Sequence, residues 1–114
     1  MTAVEDLARS RAETLAQIEA LTREFDEVVA ASASSNADDE HDPEGATIAF
    51  ERQQLAALLE QARQRLADVD AALARAETGD YGRCADCGQE IAPERLAARP
   101  QARTCIGCAS RARR

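Results

Sequence analysis

Two long stretches of this chain place apolar side chains at alternating steps of three and four residues. In residues 2–33 the series comprises Val4, Leu7, Arg11, Thr14, Ile18, Leu21, Phe25 and Val28. This 3.5-residue spacing is typical of a coiled-coil seam and predicts one long helix. Thr2 and Glu5 have the spacing of a capping box at its start. Arg11 and Thr14 are polar, and the neighbouring Leu15 is the candidate to replace Thr14 in the seam.

A second helix is predicted from Pro43 to Thr78. Asp42 has the short polar side chain of an N-cap, and Pro43 suits the first helical position. Gly79 is a residue favoured immediately after a helix end. The seam of this helix comprises Ile48, Arg52, Leu55, Leu59, Ala62, Leu66, Val69, Leu73 and Ala76.

The two helices are expected to fold back on each other as an antiparallel hairpin. Each would be roughly 45–54 Å long at 1.5 Å per residue, and the polar segment between them is short. The alternative, a continuous helix that dimerises, is disfavoured by Pro43, Gly45 and a serine-rich break. The predicted fold class is mainly α, with a coiled-coil hairpin over residues 1–78, a tip loop at about 34–46, and a small domain over 79–114.

Composition narrows the classes of protein that fit. Hydrophobic residues make up 45% of the 114 residues, but aromatic residues make up only 3%, so a thick globular core is not expected. No apolar run is long enough to span a membrane, and the N-terminus lacks the apolar segment of a signal peptide. A cytoplasmic location is therefore expected.

Charge is unevenly distributed along the chain, whose formal net charge is −7. Residues 1–50 carry twelve acidic side chains and three arginines, whereas residues 81–114 carry seven arginines and three acidic side chains. A chain this acidic is not a general nucleic-acid coat, and only its last third could bind an anionic ligand.

Four cysteines lie in the last third as two C-x-x-C pairs, Cys84 with Cys87 and Cys105 with Cys108. Seventeen residues separate the pairs, a spacing typical of zinc sites in which two pairs of thiolates complete a tetrahedron. Four protein ligands leave no position for water, so the predicted cofactor is one structural Zn²⁺ per chain. Thiol redox chemistry, the alternative, is disfavoured because no strand–helix–strand pattern surrounds these cysteines.

The cysteine segment resembles the C4 zinc finger of the DksA/TraR family of bacterial transcription regulators. The resemblance rests on Gly79–Ile91 (GDYGRCADCGQEI), Arg95–Pro100, Ala102 and the second pair of cysteines. The preceding hairpin fits the architecture of the same family. The resemblance implies a coiled-coil hairpin followed by a C4 zinc-finger domain with a short C-terminal helix.

The resemblance also implies direct binding to RNA polymerase, without recognition of a specific DNA sequence. In long-hairpin members of the family the coiled coil enters the secondary channel, and acidic residues at its tip approach the active centre. Counting back from Cys84 places His41 and Glu44 at the family's two tip aspartates, whereas a shifted frame places Asp39 and Asp42 there. Neither frame reproduces the whole family motif. An alternative interpretation is that these residues only cap a helix and solvate a loop.

Three arginines are candidates for docking on an acidic surface of polymerase, or for binding guanosine tetraphosphate, which some family members help to sense: Arg95, Arg99 and Arg103. Three others, Arg111, Arg113 and Arg114, are more simply explained as cations at the C-terminal end of a helix.

Two other functions compete with polymerase binding. The first is a nucleic-acid-binding zinc ribbon, which is disfavoured because no aromatic residue lies among the arginines for base stacking. The second is a small adaptor whose hairpin binds another helical protein. An enzyme is not expected, because the sequence has no open metal site, no glycine-rich phosphate loop and no nucleophile paired with a base.

Overall fold

In a computed structural model, which describes residues 2–34 and 43–112, the chain forms four helices. They are α1 (Ala3–Ser34), α2 (Pro43–Thr78), α3 (Pro93–Ala98) and α4 (Ile106–Ala112). The described residues form no strand, and one isolated antiparallel bridge pairs Arg83 with Glu90. The predicted fold class is confirmed: α1 and α2 form an antiparallel hairpin, and a small four-cysteine domain with a short last helix follows it.

The ends of the long helices follow from local hydrogen bonding. The predicted capping box is present, since the Thr2 backbone N–H donates to Glu5 Oε2 (3.4 Å) and the Glu5 N–H donates to Thr2 Oγ1 (3.1 Å). α2 ends before Gly79, whose φ of +82° is in the left-handed region. The Asp80 N–H donates to the Arg75 carbonyl at 3.0 Å. This is the hydrogen bond of a Schellman motif, which satisfies one of the free carbonyl groups at a helix C-terminus.

The described residues divide into two compact units, each containing a segment of both long helices. One unit consists of the described residues of 1–13 and 65–112, and the other of those of 14–64. The division predicted from the sequence, at residue 78, stays a prediction. No helix among the described residues is long and apolar enough to cross a membrane.

The first unit has its helical core where the start of α1 meets the end of α2. Leu7, Val69 and Ala72 are all fully buried there, and Leu73 and Tyr81 pack against them. Beside this core, Arg11 Nε and Asp70 Oδ1 form an ion pair at 2.7 Å in which both side chains are nearly half exposed. An exposed pair of this kind contributes at most about 1 kcal/mol, so burial of the apolar residues dominates.

The predicted replacement of Thr14 by Leu15 in the seam is wrong. Thr14 is 3% exposed, whereas Leu15 is 38% exposed. The reason is geometric: Thr14 is two helical turns from Leu7 and stays on the same face, whereas Leu15 is rotated by about 100° from Thr14. No buried side-chain nitrogen or oxygen among the described residues lacks a hydrogen-bond partner, so the seam tolerates the threonine.

The second unit buries fewer of its described residues than the first. Its buried residues are Thr14, Leu59 and Ala62. Several of its large apolar side chains remain in solvent, with Phe50 63% exposed and Leu58 43% exposed. This segment of the hairpin therefore presents apolar surface that its own packing does not cover.

Candidate functional site

The first cysteine pair lies on a tight turn. The Cys84 N–H donates to the Gln89 carbonyl and the Ile91 N–H donates to the Gly82 carbonyl, both at 2.7 Å. The turn closes at Gly88, whose φ is +75° and whose N–H donates to the Cys84 carbonyl at 3.0 Å. Because a side chain is strained at such a φ, glycine suits this position.

The second pair lies at the start of α4. Cys105 immediately precedes the helix and Cys108 lies in its first turn. The Ala109 N–H donates to the Cys105 carbonyl at 2.9 Å, and the Ala85 N–H donates to the Arg103 carbonyl at 2.8 Å. The second of these bonds joins the two cysteine segments, so backbone hydrogen bonds place the pairs next to each other.

The four cysteine sulfur atoms lie within 4.8 Å of one another. The Sγ atoms of Cys87 and Cys105 are 3.8 Å apart. Zinc bound tetrahedrally at Zn–S distances of about 2.3 Å requires sulfurs about 3.8 Å apart. The cluster therefore fits one zinc ion with four thiolate ligands, and such a site has no position left for substrate.

A small apolar cluster surrounds one side of this site. Cys84, Ile91 and Cys108 are buried together, with Leu96 packed against them. Cys87, by contrast, is exposed. The domain thus has few large apolar side chains in its core, and the bound metal would supply much of its cross-linking.

Backbone hydrogen bonds lower the pKa values of two of the thiols, those of Cys84 and Cys105. The backbone N–H of Cys87 is the main reason that the pKa of Cys84 is lowered to about 6, and the Cys105 backbone adds to the effect. The Cys108 N–H, 3.5 Å from Cys105 Sγ, likewise lowers the pKa of Cys105. Hydrogen bonds that favour the thiolate also favour metal binding, because the thiolate is the ligand form.

The fourth sulfur has the opposite tendency. Hydrogen bonding with Cys105 raises the pKa of Cys108 to about 12. A bound Zn²⁺ is a larger local charge than any of these groups and deprotonates a coordinating thiol outright. Zinc binding at neutral pH is therefore expected to release the proton of Cys108.

The three predicted docking arginines have different surroundings. Arg95 is half-buried, and its Nε donates to the Thr104 carbonyl at 2.8 Å. That bond ties α3 to the loop before the second cysteine pair. Arg99 and Arg103 are exposed. The docking role of all three stays a prediction.

Most of the predicted tip lies outside the described residues. This applies to Asp39, His41 and Asp42, whereas Glu44 belongs to the first turn of α2. The role of these residues at a polymerase active centre stays a prediction.

Arg111 is a residue of the site that the sequence analysis missed. It was interpreted as a cation at a helix end, and it does lie in the last turn of α4. Its Nη2 also donates to Cys108 Sγ at 3.0 Å. The spacing of three residues from Cys108 is the signal that could have identified it, because residues three apart share a helix face.

Comparison with known proteins gives matches to both parts of the chain. Residues 79–114 match the prokaryotic dksA/traR C4-type zinc finger. Together with the clustered sulfurs, this match confirms the predicted cofactor, one structural zinc ion per chain.

Two curated relatives align with parts of the chain. The RNA polymerase-binding transcription factor DksA of Haemophilus influenzae is 44% identical over 46 residues, which are 40% of this chain and 32% of that protein. An uncharacterized protein of Aquifex aeolicus is 45% identical over 49 residues, which are 43% of this chain and 34% of that protein. These alignments thus span about a third of each relative's length.

A solved structure matches nearly the whole chain. The structure of transcription factor DksA2 from Pseudomonas aeruginosa has a TM-score of 0.78 and is 31% identical. The match covers 97% of this chain and 80% of that protein. The likeness therefore includes the long hairpin as well as the cysteine domain.

Proposed function

Because this chain belongs to the DksA/TraR family of C4 zinc-finger proteins, we propose that it is a transcription regulator that binds RNA polymerase. The observation that carries the proposal is the structural match to transcription factor DksA2 over 97% of the chain. A second relative, DksA of Haemophilus influenzae, is named as RNA polymerase-binding. Both names describe transcription factors and not enzymes, and we extend that role to this chain.

The hairpin is proposed to enter the secondary channel of polymerase with its acidic end first. Each of its helices is long, at 32 and 36 residues, or roughly 48 and 54 Å at 1.5 Å per residue. The connection between the helices is rich in carboxylates, which are suited to interact with basic side chains or a catalytic Mg²⁺. Asp39, His41, Asp42 and Glu44 are the residues proposed to approach the active centre.

The exposed apolar side chains of the hairpin support a protein partner. Phe50 and Leu58 lie on α2 and are largely in solvent. Apolar side chains exposed in this way are typical of protein contact surfaces when they are grouped. Glu24, Glu27 and Glu51 line one groove together with Leu58, and their negative charges are unfavourable for contact with the nucleic-acid backbone.

All four cysteines, Cys84, Cys87, Cys105 and Cys108, are proposed as ligands of the zinc ion. Their zinc-bound domain is proposed as the base that remains outside the channel. The exposed Arg99 and Arg103 are the side chains best placed to contact acidic protein surface, whereas Arg95 is already bonded within the domain. Guanosine tetraphosphate is proposed as a further ligand of this arginine-rich end, on the ground of the family resemblance alone.

Binding to core RNA polymerase tests the proposal directly. Purified zinc-loaded protein is expected to retain core polymerase and to be displaced by another secondary-channel factor. An absence of binding at micromolar concentrations contradicts the proposal. Binding to DNA with a steep salt dependence, and not to polymerase, would instead indicate a nucleic-acid-binding zinc ribbon.

The role of the tip is tested separately from binding. The double variant Asp42→Asn with Glu44→Gln removes two charges and keeps the shapes of the side chains. We expect it to bind polymerase nearly as well as the original protein but to lose the effect on transcription in vitro. If the effect is unchanged, these residues only cap α2 and solvate the loop.

A further inference from the structure

Arg111 lies beside the sulfur cluster on the last helix of the chain. α4 spans only Ile106–Ala112 and carries both Cys108 and Arg111. These residues are three apart and therefore share one helix face. The Arg111 Nη2 donates a hydrogen bond to Cys108 Sγ at 3.0 Å, and Cys108 is 5% exposed.

The net negative charge of the zinc site explains why a positive side chain beside it, here Arg111, would stabilise the site. Four thiolates and one Zn²⁺ carry a formal charge of −2, and two of the four cysteines are buried. An arginine that donates to one of the sulfurs offsets part of this excess without competing for the metal, because guanidinium has no lone pair to offer. Hydrogen bonds between charged partners are also stronger than those between neutral ones.

We propose that Arg111 is an outer-sphere residue of the zinc site, whose hydrogen bond to Cys108 slows the loss of zinc. The bond holds the Cys108 sulfur in its coordinating position, and the positive guanidinium offsets part of the negative charge of that sulfur. Partners outside the first coordination shell orient the ligands of metal sites, and their loss typically weakens metal binding 10- to 100-fold. This role goes beyond polymerase binding and is a property of the zinc domain itself.

The competing explanation is that Arg111 only complements the dipole at the end of α4. The two explanations differ in what lysine can do. Lysine keeps the positive charge at the helix end, but it lacks the planar guanidinium group whose N–H donors have a fixed direction toward the sulfur. A role at the helix end alone predicts that Arg111→Lys behaves like the original protein.

The experiment measures zinc transfer from the full zinc-loaded chain to a chromophoric chelator. We expect Arg111→Gln to lose zinc about tenfold faster, and Arg111→Lys to be intermediate. Arg99→Gln is the matched control, because it removes one exposed positive charge from the same domain and is expected to leave the rate unchanged.

Replacement of zinc by Co²⁺ supplies a second readout. The visible bands of tetrahedral Co²⁺ establish that each variant still holds the metal with four sulfurs. The sulfur-to-cobalt charge-transfer band is expected to move to lower energy in Arg111→Gln, because a thiolate without its hydrogen bond donates electrons more readily. The proposal requires both the faster release and the band shift. The proposal is overturned by either change alone, by an Arg111→Gln release rate equal to that of Arg99→Gln, or by an Arg111→Lys release rate equal to that of the original protein.

Discussion

Tyr81 connects the cysteine domain to the end of the hairpin through an apolar contact of its ring and a hydrogen bond of its hydroxyl group. Its ring packs against the cluster of Leu7, Val69 and Ala72. Its hydroxyl donates to the Pro100 carbonyl at 3.0 Å. Burial, and secondarily the charge of Asp6, raises the pKa of Tyr81 above 10.0.

This shift can be measured directly, because the chain has one tyrosine and no tryptophan. Near-ultraviolet absorbance follows the ionisation of the phenol. We expect the pKa of Tyr81 to lie above 10.0 in the folded protein and near 10.0 in the same protein unfolded in urea. Since folding favours the protonated form, its contribution to stability is complete below the unfolded pKa and is lost as the pH rises through the folded pKa. Equal midpoints in the two states would mean that the ring is not packed as described.

At the residue scale the sequence predicts chemistry better than it predicts exposure. The two cysteine pairs identify the zinc site because their spacing is constrained by tetrahedral geometry. The seam series correctly included Thr14, but the suggested replacement by Leu15 was wrong, because the position on the helix decides which side chain is buried and hydrophobicity alone ranks the two in the opposite order. The spacing of three residues places Arg111 on the same helix face as Cys108, but the hydrogen bond between them also depends on the conformation of the arginine side chain, which the spacing does not determine.

At the element scale, α1 and α2 are stabilised mainly by the face that each buries against the other. Leu7 is 0% exposed and lies in the core of the first unit. Replacement by alanine removes buried methyl groups and leaves a cavity. The cost of such a substitution is about 2–5 kcal/mol.

We therefore expect Leu7→Ala to lower the free energy of unfolding, measured by denaturant titration, by about 2–5 kcal/mol. Leu15→Ala is the matched control on the same helix. Leu15 is 38% exposed, so its replacement should cost less than about 1 kcal/mol. Similar losses for the two variants would contradict the helix phase described here.

The boundaries of the long helices were predictable because their signals are local. Pro43 begins α2 and Gly79 follows its end, as predicted. Proline has no N–H to lose at a first helical position, and glycine adopts a positive φ without strain. The short last helix α4 was expected only from the family resemblance, and α3 was not predicted, because six or seven residues are too few to show a helical period of apolar positions.

At the scale of the whole molecule, zinc and apolar burial stabilise different parts of the chain. The cysteine domain buries few large apolar side chains, chiefly Ile91 with Leu96 against it. Structural zinc contributes roughly 10–16 kcal/mol in finger peptides. The hairpin, in contrast, has its own buried residues, such as Leu7 and Val69.

Removal of zinc by a strong chelator is expected to unfold the cysteine domain and leave most of the helix signal. α3 and α4 contain 6 and 7 helical residues, against 32 and 36 in α1 and α2. Circular dichroism should therefore change little, while amide exchange within residues 82–112 should become fast. Cys87→Ser should behave in the same way even with zinc present. Retained protection of these amides without zinc would contradict a structural role for the metal.

The overall architecture was predictable from two independent patterns, the seams of the hairpin and the four cysteines. Function was predictable only as far as the family resemblance extends. The acidic tip departs from the family pattern in both frames. A carboxylate-rich loop that contacts a partner has the same amino-acid composition as one that contacts only water, so composition does not distinguish the two roles.

Site-specific crosslinking from position 44 to RNA polymerase is the most direct test of the central claim, the entry of the hairpin into the secondary channel. A photoreactive residue there is expected to crosslink to elements of the polymerase active centre. The same residue at position 99 should crosslink to the outer surface near the channel entrance. Crosslinks from position 44 to the outer surface of a polymerase that still binds the protein would contradict the claim.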